Sequence, residues 1–182
     1  MSETAGESQR RIQKVEANSN LNWSMMFDPN VLYEDVDALS NLYGGMVPQD
    51  ELVPRFILRL RDRIRTSSNP NSPLYTACDE QSKVQAYAGF EPFSINGETG
   101  KNLSLYVHRD FRNQSIGSSL KHAALIDSFQ RDPELPVFSI LLESNRSVIE
   151  MNNKFHRESL PPNIQVHRVD SPYIVYRYSL KH

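Results

Sequence analysis

The sequence predicts an α/β domain in which strands and helices interleave, and three stretches carry that reading. Val137 to Leu142 is apolar on both faces, as a central strand must be. Leu52, Phe56, Leu60 and Ile64 recur every fourth residue, the stripe of an amphipathic helix. Asn102 to Leu120 reads as strand, polar turn and helix start. Within it Leu103, Leu105 and Val107 alternate with more polar neighbours, the run stops at His108-Arg109-Asp110, and Ile116, Leu120 and Ala124 follow at helical spacing. A chain of 182 residues suffices for one such domain and not comfortably for two.

Taken in order, residues 1–20 are polar and charged without apolar periodicity, and are expected to form a disordered leader or a loosely attached helix ahead of a domain spanning 21–182. Arg10, Arg11 and Lys14 make a small basic group there, but Glu7 and Glu16 interleave with them, the pattern of a solvated tail rather than a transit peptide. Leu21 to Asp28, with Trp23, Met25, Met26 and Phe27, is expected as the first strand or its lead-in, and Asp28-Pro29-Asn30 as a turn. Glu34 or Asp35 can cap a short helix to Tyr43, which Gly44-Gly45 ends. The helix through Leu52 and Ile64 carries Arg59, Arg61, Arg63 and Arg65 on its wet faces, which a solvated surface explains better than a nucleic-acid patch. Thr66 to Pro73 is a polar, proline-containing loop.

Leu74 to Cys78 and Lys83 to Phe93 read as a meander joined at Asp79-Glu80-Gln81-Ser82. If Asn96-Gly97 forms a two-residue hairpin turn, Ile95 faces Glu98, Ser94 faces Thr99, and the pairing runs on until Glu91 stands opposite Asn102. A helix from Ile116 to Gln130 is broken at Asp132-Pro133 before the central strand. Ser144 or Asn145 can begin the next helix, with Val148, Met151 and Phe155 on one face, and Gln165 to Val169 and Tyr173 to Leu180 close the chain as strands.

Charge and composition exclude several classes. A formal charge of −2 with both signs mixed along the chain points to neither a nucleic-acid nor a membrane partner. The single cysteine, Cys78, cannot form an intramolecular disulfide or build a metal cluster, so no metal is expected and a cytoplasmic setting is. No apolar run approaches the ~18 residues of a membrane span.

The turn after Val107 is where chemistry enters. A helix's first turn leaves N–H groups unpaired at the positive end of the peptide dipoles, so it binds anions. Small residues at Ser115, Gly117, Ser118 and Ser119 would let a phosphate approach the backbone, and Arg112 adds a cation. An ordinary helix start capped by Ser115 or Asn113 is the bland alternative. A P-loop is excluded, because no Gly-Lys-Ser/Thr follows the glycine.

Leu105-Tyr106-Val107 followed by Gln114-Ser115-Ile116-Gly117-Ser118-Ser119 resembles the acetyl-CoA-binding motif of the GNAT superfamily of N-acyltransferases, a strand end followed by Arg/Gln-x-x-Gly-x-Gly/Ala and a helix. Relatives usually have glycine where this chain has Asn113 and Ser115. The order of elements from about Asn22 onward is similar to that fold, a central twisted mixed sheet with helices on both faces. Ala88-Gly89-Phe90 and Ser104-Leu105-Tyr106-Val107 resemble the phosphinothricin-acetyltransferase-like branch.

The resemblance implies acetyl-CoA as cosubstrate. Its pantetheine arm would pair with the backbone of Leu105, Tyr106 and Val107, and its diphosphate would rest on Arg112 and the amides of Asn113, Gln114, Ser115, Ile116, Gly117 and Ser118. Asn145 matches a family asparagine that reaches the arm or orders the next helix; a plain N-cap explains it equally. A backbone N–H at Val107 or its neighbour would polarise the thioester. The acid that relatives carry at Asn102 or Leu103 is missing, and Asn152 stands where they have a thiolate-protonating Tyr or His. Two carboxylates could replace the base: Glu91, if the hairpin register holds, and Glu143 at the end of the central strand. Two functions follow, an N-acetyltransferase acting on a small amine or amino acid, with a homodimer allowed for, and a non-catalytic acyl-CoA-binding module of the same fold with a regulatory or scaffolding role.

Overall fold

A computed structural model describes residues 11–16 and 19–181. Seven strands form one sheet in the order β1-β2-β3-β4-β5-β7-β6. They are β1 (Arg11–Lys14), β2 (Leu74–Cys78), β3 (Val84–Ile95), β4 (Glu98–Val107), β5 (Val137–Leu141), β6 (Ile164–Val169) and β7 (Ile174–Leu180). Helices α1 (Pro29–Tyr33), α2 (Val36–Leu42) and α3 (Leu52–Thr66) cover one face; α4 (Ile116–Arg131) and α5 (Arg146–Glu158) cover the other. The alternation in β4 divides two cores. Leu103, Leu105 and Val107 join α4 and Phe155, while Tyr106 joins Phe56, Leu60 and Tyr87 under α3.

Asn96 and Gly97 both have positive φ, 50° and 80°, and close a two-residue turn. The expected register follows: Ile95 pairs with Glu98, Ser94 with Thr99 and Glu91 with Asn102. Strands β4 and β5 are parallel neighbours for only two pairs, Lys101 with Val137 and Asn102 with Phe138. Gly100 permits that contact, since a Cβ there would collide with the Pro136 carbonyl and the Phe138 ring. Past Asn102 the strands part, although β5 remains fully paired with β7 on its other side.

Two expectations for the beginning of the chain are corrected. Residues 1–10 and 17–18 lie outside the described residues, so that part of the leader carries no structural statement. Arg11–Lys14, however, is an antiparallel strand on β2. It escaped the pattern because an open sheet edge recruits extended backbone through N–H and C=O groups, whatever the side chains. Trp23 to Phe27 is not the first strand. Ser24–Phe27 is a 3-10 turn that plugs Trp23 and Met26 into the core under α3, and Asn22 before it pairs with the sheet as an isolated bridge to Lys83. The expected turn at Asp28-Pro29-Asn30 opens α1 instead: Asp28 caps it by accepting from Asn30 N at 3.0 Å, and Pro29 holds the first helical position.

Candidate active site

The parting of β4 from β5 opens a cleft of about 1980 Å³. Its walls are Leu103 to Val107, the end of β5 at Ser139 to Leu142, the turn before α4, and parts of α2 and α5. Along the cleft, β4 past Asn102 has no ladder partner on the β5 side. An extended ligand arm can pair there.

Leu105, Tyr106 and Val107 all line this cleft, and their side chains are spent on the two cores, so what they offer a ligand is backbone. The turn that follows is held from below. Arg112 donates Nη1 to Asp35 Oδ1 at 2.8 Å, Nη2 to Asp35 Oδ2, and Nε to the Val107 carbonyl at 3.1 Å, and lies over the Tyr106 ring. The Tyr106 hydroxyl donates to Asp35 Oδ2 at 2.6 Å, and burial followed by that carboxylate pushes its pKa up. Asp35, expected as a helix cap, makes no side-chain cap bond; it is 7% exposed and serves as the acceptor that ties strand end to turn.

Asn113 and Ser115 have φ of 61° and 58°, the left-handed backbone that the glycines of relatives would adopt without strain. Ser115 therefore precedes α4 without a side-chain cap bond. Ile116 is buried. Gly117 is closed in, since a Cβ would stand 3.4 Å from each of Leu105, Met151 and Val107 side-chain atoms. Asn113, Ser115, Ile116, Gly117 and Ser118 line the cleft; Gln114 turns away, its amide donating to the Asp110 carbonyl at 3.4 Å. Asn145 also lines it while capping α5, accepting from Val148 N at 3.1 Å.

The two candidate bases part company. Glu91 lines the cleft on the α3 side, paired with Arg59 and, at 3.1 Å, with Arg63, and it accepts from Asn102 Nδ2 at 3.0 Å. Burial alone would raise its pKa, but the Arg59 and Arg63 charges outweigh burial and hold it below the ordinary carboxylate range. Asn102 Oδ1 is buried without a hydrogen-bond partner among the described residues. Glu143 stands outside the cleft wall with its side chain 70% exposed, 3.9 Å from Arg168.

One residue escaped the sequence reading. Lys121 is 2% exposed and lines the cleft from the α4 side, donating to Asn152 Oδ1. The signal was present: it falls within the buried arc of Gly117, Leu120, Ala124 and Leu125, where a lysine is out of place. Among the described residues no helix is long and apolar enough to cross a membrane.

A parted parallel strand pair with an unpaired strand edge, running up to a helix N-terminus, is a site that an extended, anion-ended ligand can occupy. Residues 36–154 match the sequence model of the Acetyltransferase (GNAT) family, and the chain belongs to that family. No curated protein matches the chain. Solved structures share the fold at low identity. The PaiA N-acetyltransferase of Thermoplasma acidophilum, in complex with coenzyme A, has a TM-score of 0.61 and 14% identity, over 95% of this chain and 99% of that one. AtaTR bound with acetyl-CoA gives 0.57 and 12%, over 92% and 91%. A candidate phosphinothricin N-acetyltransferase gives 0.51 and 15%, over 96% and 100%.

Proposed function

We propose that the protein transfers the acetyl group of acetyl-CoA to the amine of a small molecule or amino acid by direct attack. The observation that carries this reading is the unpaired β4 edge, which runs from the turn before α4 to a carboxylate, Glu91, and an unpartnered amide oxygen, Asn102 Oδ1. Diphosphate would rest on the amides at the start of α4. Arg112 serves that turn by clamping it to Asp35 and the Val107 carbonyl.

The acceptor would enter from the α2–α3 side, where Asn102 Oδ1 can receive an N–H of the amine. Glu91, ionised at neutral pH, takes the ammonium proton through water; its two arginine partners make it a weak base, so the step relies on position more than on basicity. Neutral amine then attacks the thioester carbonyl, whose developing charge meets a backbone N–H of the Leu103–Val107 stretch. Glu143, outside the cleft, takes no part. The lone cysteine, buried and free, accords with a cytoplasmic setting.

The same two guanidinium groups on Glu91 favour a second reading, an acyl-CoA-binding module without turnover. Calorimetry with CoA, followed by thiol release from acetyl-CoA across a panel of amines, separates them. Binding with no turnover on any amine supports the module, and no binding removes both. In an active protein Glu91→Gln lowers turnover by roughly 10²–10⁴-fold with CoA affinity unchanged; full activity in that variant excludes Glu91 as the base.

A further inference from the structure

Release of a thiolate needs a proton at sulfur, and on the α4–α5 side of the cleft the residue at the relevant position, Asn152, is an amide that cannot supply one. Its two ends are already committed: Nδ2 donates to the Val148 carbonyl at 2.8 Å, and Oδ1 accepts from Lys121 Nζ. That orientation points the amide oxygen at the lysine and holds the ammonium in place. We propose that Lys121 is the proton donor to the departing CoA thiolate, a catalytic residue supplied by α4; this rests on the acetyltransferase reading above.

Placement supports the assignment. The ammonium lies 4.8 Å from the ring centroid of Tyr178 and 5.2 Å from that of Phe155. Tyr178 pairs with Val137, and Val137 with Lys101, one pair before β4 and β5 part. Lys121 therefore sits over the closed end of the V, about 6 Å along α4 from Gly117 at the phosphate end. An acyl-CoA entering with its diphosphate on the turn carries its sulfur toward that closed end.

Burial without a carboxylate is the second argument. Among the described residues no acid pairs with Lys121, and a methionine would fill the same space without a buried charge. Two of the groups facing it, His156 and Tyr178, are neutral near pH 7. On α5, His156 is lowered to about 4 by burial and by Lys121 itself; on β7, Tyr178 is raised well above 10 by burial. These two bond to each other at 2.8 Å. On α4, His122 turns to the Ser159 carbonyl at 2.7 Å. Desolvation brings the lysine to about 7, below a thiol at about 8.5, so the transfer runs downhill, whereas an ordinary lysine would keep its proton.

The step balances. The acceptor nitrogen forms the C–N bond, the C–S bond breaks with its electron pair going to sulfur, and the proton the nitrogen must then shed to become an amide leaves to water on the Glu91 side. The Lys121 ammonium gives one proton to that sulfur, forming the CoA thiol, and the neutral amine regains a proton from water. Four measurements on the full chain test it: wild type, Lys121→Met and Lys121→Arg in the thiol-release assay against pH, and NMR of lysine-13Cε-labelled wild type titrated with and without CoA. Both variants should lose roughly 10²–10⁴-fold in kcat with CoA affinity within about two-fold, and the wild-type limb near pH 7 should vanish from what activity remains. The Lys121 resonance should titrate near neutrality and move when CoA binds. Lys121→Met with wild-type turnover and pH profile overturns the proposal, as does a Lys121 resonance unmoved by CoA, which needs no variant to fold. Absence of turnover in wild type overturns the acetyltransferase reading and with it this role, while the NMR titration still reports where the lysine sits relative to CoA.

Discussion

Replacing Lys121 by methionine should make the protein more stable below neutrality and abolish part of its pH dependence. The descent of the Lys121 pKa from 10.5 to about 7 has desolvation as its cause and corresponds to roughly 5 kcal/mol between the two protonation states. The sign follows from proton counting. Between about pH 7 and 10.5 the unfolded chain holds the proton and the folded chain does not, so wild type gains stability as pH rises through that window; below about pH 7 the folded protein carries the full cost of a buried ammonium. In Lys121→Met that cost is gone and that slope is absent. Urea denaturation at pH 6, 8 and 10 should therefore show the variant ahead by a few kcal/mol at pH 6, with the gap closing toward pH 10. Buried tyrosines remote from Lys121 titrate alike in both proteins and cancel in the difference, while His156, freed in the variant from the Lys121 charge that helps lower its pKa, adds to the variant's lead at low pH. Parallel stability curves for the two proteins would refute the claim that Lys121 is charged and dry in the fold.

Gly117→Glu should abolish CoA binding by calorimetry while circular dichroism shows a folded protein, because the new side chain enters between Leu105, Val107 and Met151 with negative charge toward the diphosphate; unchanged affinity would take the diphosphate away from this turn. Asp35→Ala should cost about 1–3 kcal/mol in chemical denaturation, since it leaves the buried Tyr106 hydroxyl without its acceptor and frees the partly exposed Arg112 guanidinium from its clamp. Arg112→Ala, at a residue 37% exposed, should cost less and should weaken CoA and acetyl-pantetheine equally; a loss confined to CoA would put its guanidinium on phosphate. Ser115→Gly should raise the thermal midpoint, as removing a Cβ at φ 58° relieves roughly 1–2 kcal/mol of left-handed strain against a smaller entropy term; a lower midpoint would mean the serine side chain earns its place.

What the sequence disclosed and what it hid divide along a physical line. The pairing of Glu91 with Asn102 was legible because Asn-Gly admits two positive φ values and a two-residue turn fixes every later rung. The helix at Leu52–Thr66 and the strand at Val137–Leu141 were legible because burial on one face or both is written into hydrophobic period. Strand β1 was not, since backbone pairing at an edge leaves no mark on side-chain pattern. Nor was the Asp35–Arg112–Tyr106 cluster, whose members come from a helix start, a turn and a strand far apart in the chain; each has a sufficient local explanation as a cap, a surface cation and a strand aromatic. Lys121 was legible only as a charged residue in an apolar arc, and Asn152, read by itself, is an amide with no acid to give; that it holds a lysine shows only once α4 and α5 are packed together.

In the proposed reaction the two ends of the proton's path lie on opposite faces of the sheet. Glu91 and Asn102 project with Ser104 toward α3, where Arg63 donates to Ser104 Oγ at 2.7 Å, while Lys121 approaches from α4 among Phe155 and Tyr178. Neither group can replace the other, because β4 stands between them and the two faces meet at the gap where β4 leaves β5. The acceptor's proton therefore leaves on the wet, arginine-lined face as the C–N bond forms, and sulfur receives its proton on the dry face as the C–S bond breaks. A lysine suits the dry face because desolvation there lowers its pKa toward that of a thiol, and a carboxylate suits the wet face because its arginines keep it ionised for a positively charged arrival. Both pKa values are lowered, with opposite consequences for charge, because desolvation disfavours the ammonium on one face of β4 while arginines favour the carboxylate on the other.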